Sequence, residues 1–256
     1  MRAWPVSSNG CQFVTTHFRI FALLALSAVL AACAGQVPKI DVSPTKLSEV
    51  KTIAVIRPPE PESYHLSLPK HTENFIVMFP GMAGAIGGFI AAAYLKVQQD
   101  QLSSALKAQG AAFASELADR VAAKLVASGY DAKVEEPPLV EADEEHKLPF
   151  EKIDSTADAV LLLSLKGVGF IDTGTAYVPY FVTVATLLGK DRKEQMYRGY
   201  HASSLNPTGK AGWRITPPSA TFANIDALIS DTKASAAALS NAVDGVAETV
   251  TADLRK

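Results

Sequence analysis

Apolar and polar positions divide the chain into a succession of short elements. Val50-Lys51-Thr52-Ile53-Ala54-Val55-Ile56 is a β-branched run closed by Pro58-Pro59, which predicts a strand. From Gln98 to Ser128 the spacing turns helical. Phe113, Leu117, Val121 and Leu125 repeat every four residues, with Glu116, Asp119, Arg120 and Lys124 largely on other faces. Gly129 stands where a left-handed C-terminal cap belongs. Asp131–Glu135 reads as a short strand before Pro137-Pro138, and Pro149–Ala157 as one or two helical turns. Ala159-Val160-Leu161-Leu162-Leu163-Ser164-Leu165 is a nearly unbroken apolar run of the kind found in central strands. Tyr177–Leu188 and Lys193–Ser204 are two β-rich stretches joined by Gly189-Lys190-Asp191-Arg192, which predicts a hairpin. After Pro217-Pro218 a C-terminal helix spans about 220–254. Along it Phe222, Ile225, Ile229, Thr232, Ala236, Leu239, Val243, Val246 and Val250 alternate spacings of three and four. Such a stripe either packs lengthwise on the domain's own sheet or forms a coiled coil with a partner or second copy. Its flanks lack the dense opposite charges of a dedicated zipper.

These elements predict an α/β fold, an α+β sandwich in which a small mixed sheet is packed by a long helix and the C-terminal helix. One Gly-rich apolar insertion interrupts the pattern. Phe75–Leu95 carries no charge and contains Pro80, Gly81, Gly84, Gly87 and Gly88. On a helix, Ala83, Gly87 and Ala91 would align, as would Gly84, Gly88 and Ala92. That gives a flat face poor in side chains, where another backbone can approach closely. The 21 residues would make about 31 Å of helix, long enough to cross a bilayer. The alternatives are a docked hairpin that covers the domain's sheet, or burial in an oligomer. On each reading Gly81, Gly84, Gly87 and Gly88 belong to a membrane or partner contact. A dinucleotide reading fails, because the glycines are spaced three, three and one, unlike G-x-G-x-x-G, and Pro80 interrupts the strand-to-loop transition.

The N-terminus behaves as a targeting segment. Arg2, His17 and Arg19 precede an uncharged apolar run from Ile20 to Ala32. Its length of about 20 Å is too short to span a ~30 Å hydrocarbon core and suits the apolar core of a signal peptide. The run ends Leu30-Ala31-Ala32-Cys33, which resembles the lipobox of bacterial lipoproteins: a hydrophobic residue three before the cysteine, with two small residues between. The resemblance implies cleavage between Ala32 and Cys33, with a diacylglycerol and a fatty acyl group attached covalently to Cys33. It further implies a signal peptide over 1–32, an acylated flexible tether over 33–49 and a periplasmic domain over 50–256. The residue after Cys33 is Ala34 rather than Asp, which in Gram-negative lipoproteins implies sorting to the outer membrane, facing the periplasm. The stretch before about Val14 is long for such a signal and reads as an upstream extension from a misplaced start.

A second resemblance concerns shape alone. Lys51-Thr52-Ile53-Ala54-Val55-Ile56, Leu125-Val126-Ala127-Ser128-Gly129-Tyr130 and Asp158-Ala159-Val160-Leu161 are similar to segments of small periplasmic α/β domains in envelope-assembly lipoproteins. Examples are the curli secretion lipoprotein, the lipoprotein activators of penicillin-binding proteins and the N-terminal domain of the Tol–Pal β-propeller protein. It covers about half of the chain and transfers no functional residue.

Composition narrows the function classes. The 256 residues are 48% hydrophobic and 20% charged, with a formal net charge of −2, so the chain has ample core and is not compositionally disordered. Its charge balance argues against nucleic acid as a partner. Two cysteines, Cys11 and Cys33, exclude a disulfide-rich scaffold. Cleavage before Cys33 would remove Arg2 and Arg19, leaving 22 basic residues against 26 acidic ones.

Candidate chemistry is sparse. Ser43-Pro44-Thr45-Lys46 and Ser104-Ala105-Leu106-Lys107 match S-x-x-K without the S-D-N and K-T-G elements of penicillin-binding enzymes. There is no G-x-S-x-G elbow. His65, His71, His146 and His201 lack metal-ligand spacing, so no metal and no cofactor beyond the lipid is expected. The acidic run Glu141–His146 reads as a solvated loop, with weak attraction for a divalent cation as the alternative. Trp213 with Arg214, and Tyr177, Tyr180, Tyr197 and Tyr200, either pack across strands or line a peptide or glycan face. The expected function is therefore non-enzymatic: a lipid-anchored outer-membrane lipoprotein that binds or helps assemble an envelope component, through a protein partner or self-association. A membrane-inserting or oligomeric glycine-zipper element is the alternative, and an envelope hydrolase the third.

Overall fold

The computed structural model describes residues 39–67, 82–137, 153–207 and 212–255, with 82–91 described as helical backbone. The signal segment, Cys33, residues 75–81 and the acidic run 141–146 lie outside them. The elements are α1 (Pro44–Glu49), β1 (Thr52–Ile56), β2 (His65–Leu66), α2 (Met82–Ala108), α3 (Phe113–Ala127), β3 (Asp131–Glu135), β4 (Ala159–Asp172), β5 (Tyr177–Gly189), β6 (Gln195–Ser203), β7 (Trp213–Thr216), α4 (Ile225–Ser230) and α5 (Thr232–Asp253). The seven strands form one mixed sheet in the order β3-β1-β4-β5-β6-β7. β3, β1 and β4 are parallel, β4-β5-β6 an antiparallel meander, and β7 is parallel to β6. β2 pairs with the far end of β4 through His65 and Leu66 against Gly169 and Phe170, in line with β1. The α/β sandwich is the fold that the apolar pattern predicts.

Period-two alternation sorts the strand residues onto two faces. Ile53, Val55, Leu161, Leu163, Ala185, Leu187 and Tyr197 share the face that α3 and α5 cover, and all are buried. The α3 stripe Phe113, Leu117, Val121 and Leu125 packs there, as do Leu239, Val243, Val246 and Val250 of α5. The C-terminal stripe is thus covered by the domain's own sheet and by α3. A smaller cluster of Ala54, Ile56, Val160, Leu162 and Leu188 on the opposite face is closed by Ile153.

Several boundaries differ from the sequence expectation. The helical run from Gln98 to Ser128 is two helices, because Gly110 adopts φ +78° and ends α2; Gly129, at φ +92°, ends α3 as expected. The apolar stretch is no hairpin after Met82, since α2 starts there. Residues 39–49, expected to belong to a flexible tether, are part of the domain. Ile40 exchanges both backbone hydrogen bonds with Arg198 at 3.0 and 2.9 Å, and α1 follows because Leu47 and Val50 are buried against the core. The C-terminal helix breaks at Asp231, whose carboxylate caps the first turn of α5 through Ala234 N at 2.9 Å. Residues 153–157 contain no helix.

Two acidic side chains set the layout. Ala112, before α3, offers no side-chain cap, and Glu60 from the chain after β1 accepts from Ala114 N and Ser115 N instead. Asp158 accepts from Lys51 N and Thr52 N, each at 3.0 Å, while Thr52 Oγ1 accepts from Asp158 N, pinning β1 to β4 at their first residues. In the hairpin turn Arg192 (φ +61°) folds its guanidinium back onto the carbonyls of Ser155, Ala157 and Gly189.

Candidate functional site

Of the residues singled out from the sequence, Ala32, Cys33 and Gly81 lie outside the described residues; Gly84, Gly87 and Gly88 fall in the first half of α2. This helix spans 27 residues, about 40 Å. Its described stretches meet different surroundings. Leu102 and Leu106 are fully buried, and the same third is held by polar contacts. Lys107 Nζ donates to the Glu62 carbonyl, Ser103 Oγ accepts from Tyr64 N at 2.9 Å, and Gln99 Nε2 donates to Ser63 Oγ at 3.0 Å. Upstream, Ala92, Ala93, Tyr94, Lys96 and Val97 are exposed, Tyr94 and Val97 by 53% each. Between Met82 and Leu95 the helix has no charged residue; Lys96 is the first, paired with Asp100 at 3.3 Å. No helix among the described residues is long and apolar enough to cross a membrane.

A second organised group lies where β6, β7 and the end of α5 meet. Tyr197, Gly199 and His201 occupy alternate positions of β6, so they share the helix-covered face. The Tyr197 hydroxyl donates to Asp253 Oδ2 at 3.0 Å and lies 2.8 Å from His201 Nε2. His201 Nδ1 lies 2.9 Å from the Thr249 hydroxyl, which also donates to the Val246 carbonyl at 2.9 Å, so each hydroxyl that meets the ring has one proton for two neighbours. Arg214 of β7 closes the group through Nε and Nη2 on Asp253 Oδ1 at 3.2 and 2.9 Å. Burial holds the His201 imidazole well below its usual range, at about 4, against the opposing pull of Asp253; burial, then Asp253, pushes the Tyr197 hydroxyl up. Gly199 is obligatory here, because a Cβ would lie 1.8 Å from the Tyr197 oxygen and 2.5 Å from His201 Nε2. Both ring nitrogens of the fully buried His201 lie against side-chain hydroxyls, and with the Tyr197–Asp253 contact they bolt the C-terminal turn of α5 to the sheet. Sequence reasoning missed it, because His201 drew attention only as a metal ligand. The available signal was Tyr197-x-Gly199-x-His201 at strand period.

The other candidates are dispersed. Tyr177 and Tyr197 lie on the helix-covered face, with the Tyr177 hydroxyl donating to the Ser67 carbonyl at 3.1 Å. Burial, then Asp172 and Tyr94, push that hydroxyl up. Tyr200 packs on Trp213 with ring centroids 5.3 Å apart on the opposite face. The aromatics therefore do not form one binding face. Ser43 precedes α1 and Ser104 is exposed on α2, so neither S-x-x-K match meets a partner set. Among the described residues, no three His, Cys, Asp or Glu come together as metal ligands. Along the α3–α5 seam Arg120, Lys124, Asp244 and Glu248 alternate in sign and satisfy one another.

These features describe a mixed-sheet α/β sandwich in which one long helix exposes Ala92–Tyr94, Lys96 and Val97. Compared with known protein families, with curated proteins and with solved structures, the chain matches none.

Proposed function

We propose that this chain is an outer-membrane lipoprotein that works by binding, holding an α/β domain on a short lipid tether at the periplasmic face, where it engages or helps assemble an envelope component. The observation that carries the reading is Leu30-Ala31-Ala32-Cys33 at the end of an uncharged apolar run, with Ala34 following. It is supported by Ile40, seven residues after Cys33, which already pairs with Arg198 of the sheet.

Metabolic labelling with palmitate, followed by separation of inner and outer membranes, tests it. The expected result is a labelled band in the outer-membrane fraction, with label abolished by Cys33→Ser. An unlabelled wild-type chain, or one that fractionates with the cytosol, overturns the reading.

A further inference from the structure

We infer that the open edge of β3 is an interface for a second copy of this chain, joined antiparallel about a two-fold axis at Val134. The interface lies within the domain and does not depend on the lipid anchor.

β3 ends the sheet, with β1 beside it. In a parallel pair, alternate residues turn both backbone groups toward the neighbouring strand. Asp131 N donates to the Lys51 carbonyl and Arg57 N to the Glu135 carbonyl, each at 2.9 Å, so Asp131, Lys133 and Glu135 turn toward β1. Ala132, Val134 and Glu136 therefore aim N–H and C=O outward. Among the described residues, none hydrogen-bonds to the backbone of Ala132 or Val134 on that side. Such an edge is a template for an added strand.

Charge and the unpaired groups select the added strand. Outward groups must oppose outward groups, so the axis of an antiparallel pair of copies passes through one residue. On Asp131, Lys133 or Glu135 it sets a charge against its own copy, which destabilises the pair. On Ala132 it requires the Tyr130 N–H, already donated to the Leu125 carbonyl at 3.2 Å. On Val134 the requirements agree. Val134 bonds its copy, Ala132 exchanges bonds with Glu136, and Lys133 stands opposite Glu135 on both sides of the axis. Within one chain Lys133 meets Asp131 at 3.8 Å and its side chain stays 77% exposed, so the amine can reach the second carboxylate. Pro137 falls opposite Asp131, where a backbone N–H would point at β1 and is not needed. The α3 flank beside this edge adds an apolar contact. Arg120 and Lys124 face α5, whereas Asp119 reaches Arg57, which also holds Glu136. Val126 follows Asp119 by two helical turns, on the same flank, and is 52% exposed. A two-fold axis perpendicular to the sheet keeps both helix layers on one face, so this flank turns toward its copy.

The test uses the mature chain carrying Cys33→Ser, exported behind an ordinary cleavable signal peptide, with mass read by sedimentation equilibrium over a concentration series. The expected result is a monomer–dimer equilibrium. Lys133→Glu and Glu135→Lys should each raise the dimer Kd at least about tenfold, and the two together should return it to within about threefold of the parent. That exchange restores the cross-strand pairs and nothing else, so a folding defect cannot imitate it. Val97→Asp on α2 and Ile215→Asp on β7, the opposite edge, should leave the equilibrium unchanged. A chain that stays monomeric, single reversals without effect, an exchange that leaves the dimer weakened, or a dimer lost with Val97→Asp or Ile215→Asp overturns the inference. Palmitate labelling of the native chain separates it from the lipoprotein reading: a labelled chain whose unacylated form is monomeric keeps the anchor and loses the interface, whereas an unlabelled chain that dimerises does the reverse.

Discussion

Among the described residues α2 and α5 are the two longest helices, 27 and 22 residues, and their described parts are held differently. α5 buries Leu239, Val243, Val246 and Val250 completely, is capped at its start by Asp231, and is bolted at its end through Thr249 and Asp253 to β6 and β7. α2 buries Leu102 and Leu106 and leaves Ala92–Tyr94 and Val97 in solvent. The difference follows from side-chain distribution rather than hydrophobicity. α5 alternates apolar and polar positions at a helical period and so owns one face for a sheet. Ahead of Lys96, α2 carries no charge and no alternation of apolar and polar positions, so its sequence marks no stripe of large apolar side chains.

The sharpest break in that comparison is the same charge placed once on each helix. Val246→Asp puts an unpaired carboxylate into the packed seam and should cost more than about 4 kcal/mol, enough to unfold the domain. Val97→Asp on the exposed part of α2 should stay within about 0.5 kcal/mol of the parent. Urea unfolding of the unacylated mature chain reads both. Similar losses would mean that α2 is as deeply integrated as α5.

Gly199→Ala comes next. The added methyl would lie 1.8 Å from the Tyr197 oxygen, so the α5 bolt must open; a loss of roughly 2–4 kcal/mol is expected. Loss of less than about 0.5 kcal/mol would show that the bolt contributes little and that the stripe alone holds α5.

How much of this was legible in the sequence varies with the element. The α3 and α5 stripes, the β1 and β4 runs and the Gly189–Arg192 hairpin were visible because each has an apolar period that matches its geometry. The second half of β4 was not: Lys166-Gly167-Val168-Gly169 reads as an interruption, although its bulge between Leu165 and Gly167 lets the strand continue to Asp172. The break at Gly110 was hidden because the stripe resumes at Phe113 in a compatible phase. β7 is four residues and carries no strand pattern of its own. The Tyr197–Asp253 contact joins positions 56 residues apart, which no local rule connects, and only the Tyr197-Gly199-His201 alternation gave a hint.

The bolt also predicts an acid response. His201 titrates at about 4 in the fold against an ordinary histidine value of 6.5, so the unfolded chain binds the extra proton first. Stability is therefore fully present above about pH 6.5 and falls as the pH drops toward 4, by on the order of 3 kcal/mol over that window. His201→Gln should lower stability at neutral pH yet remove the slope between those limits. A slope that persists in the variant would assign it to other groups and detach α5's end from the titration.

Asp158 gives the smallest effect and tests the opposite end of the sheet, away from α2. Backbone donation from Thr52 and Lys51 holds its carboxyl below the usual aspartate range. The folded form is thus the better acid, and its contribution is present at neutral pH and lost only as the pH falls below the ordinary carboxylate range, under the His201 window. Solvent screening at this accessible site limits the contribution of the carboxylate to about 1 kcal/mol or less. Asp158→Asn should therefore leave the slope between pH 6.5 and 4 unchanged and flatten stability only at lower pH. A slope between pH 6.5 and 4 that changed with Asp158→Asn would mean that the two ends of the sheet titrate together, and the acid response could not be assigned to the α5 bolt.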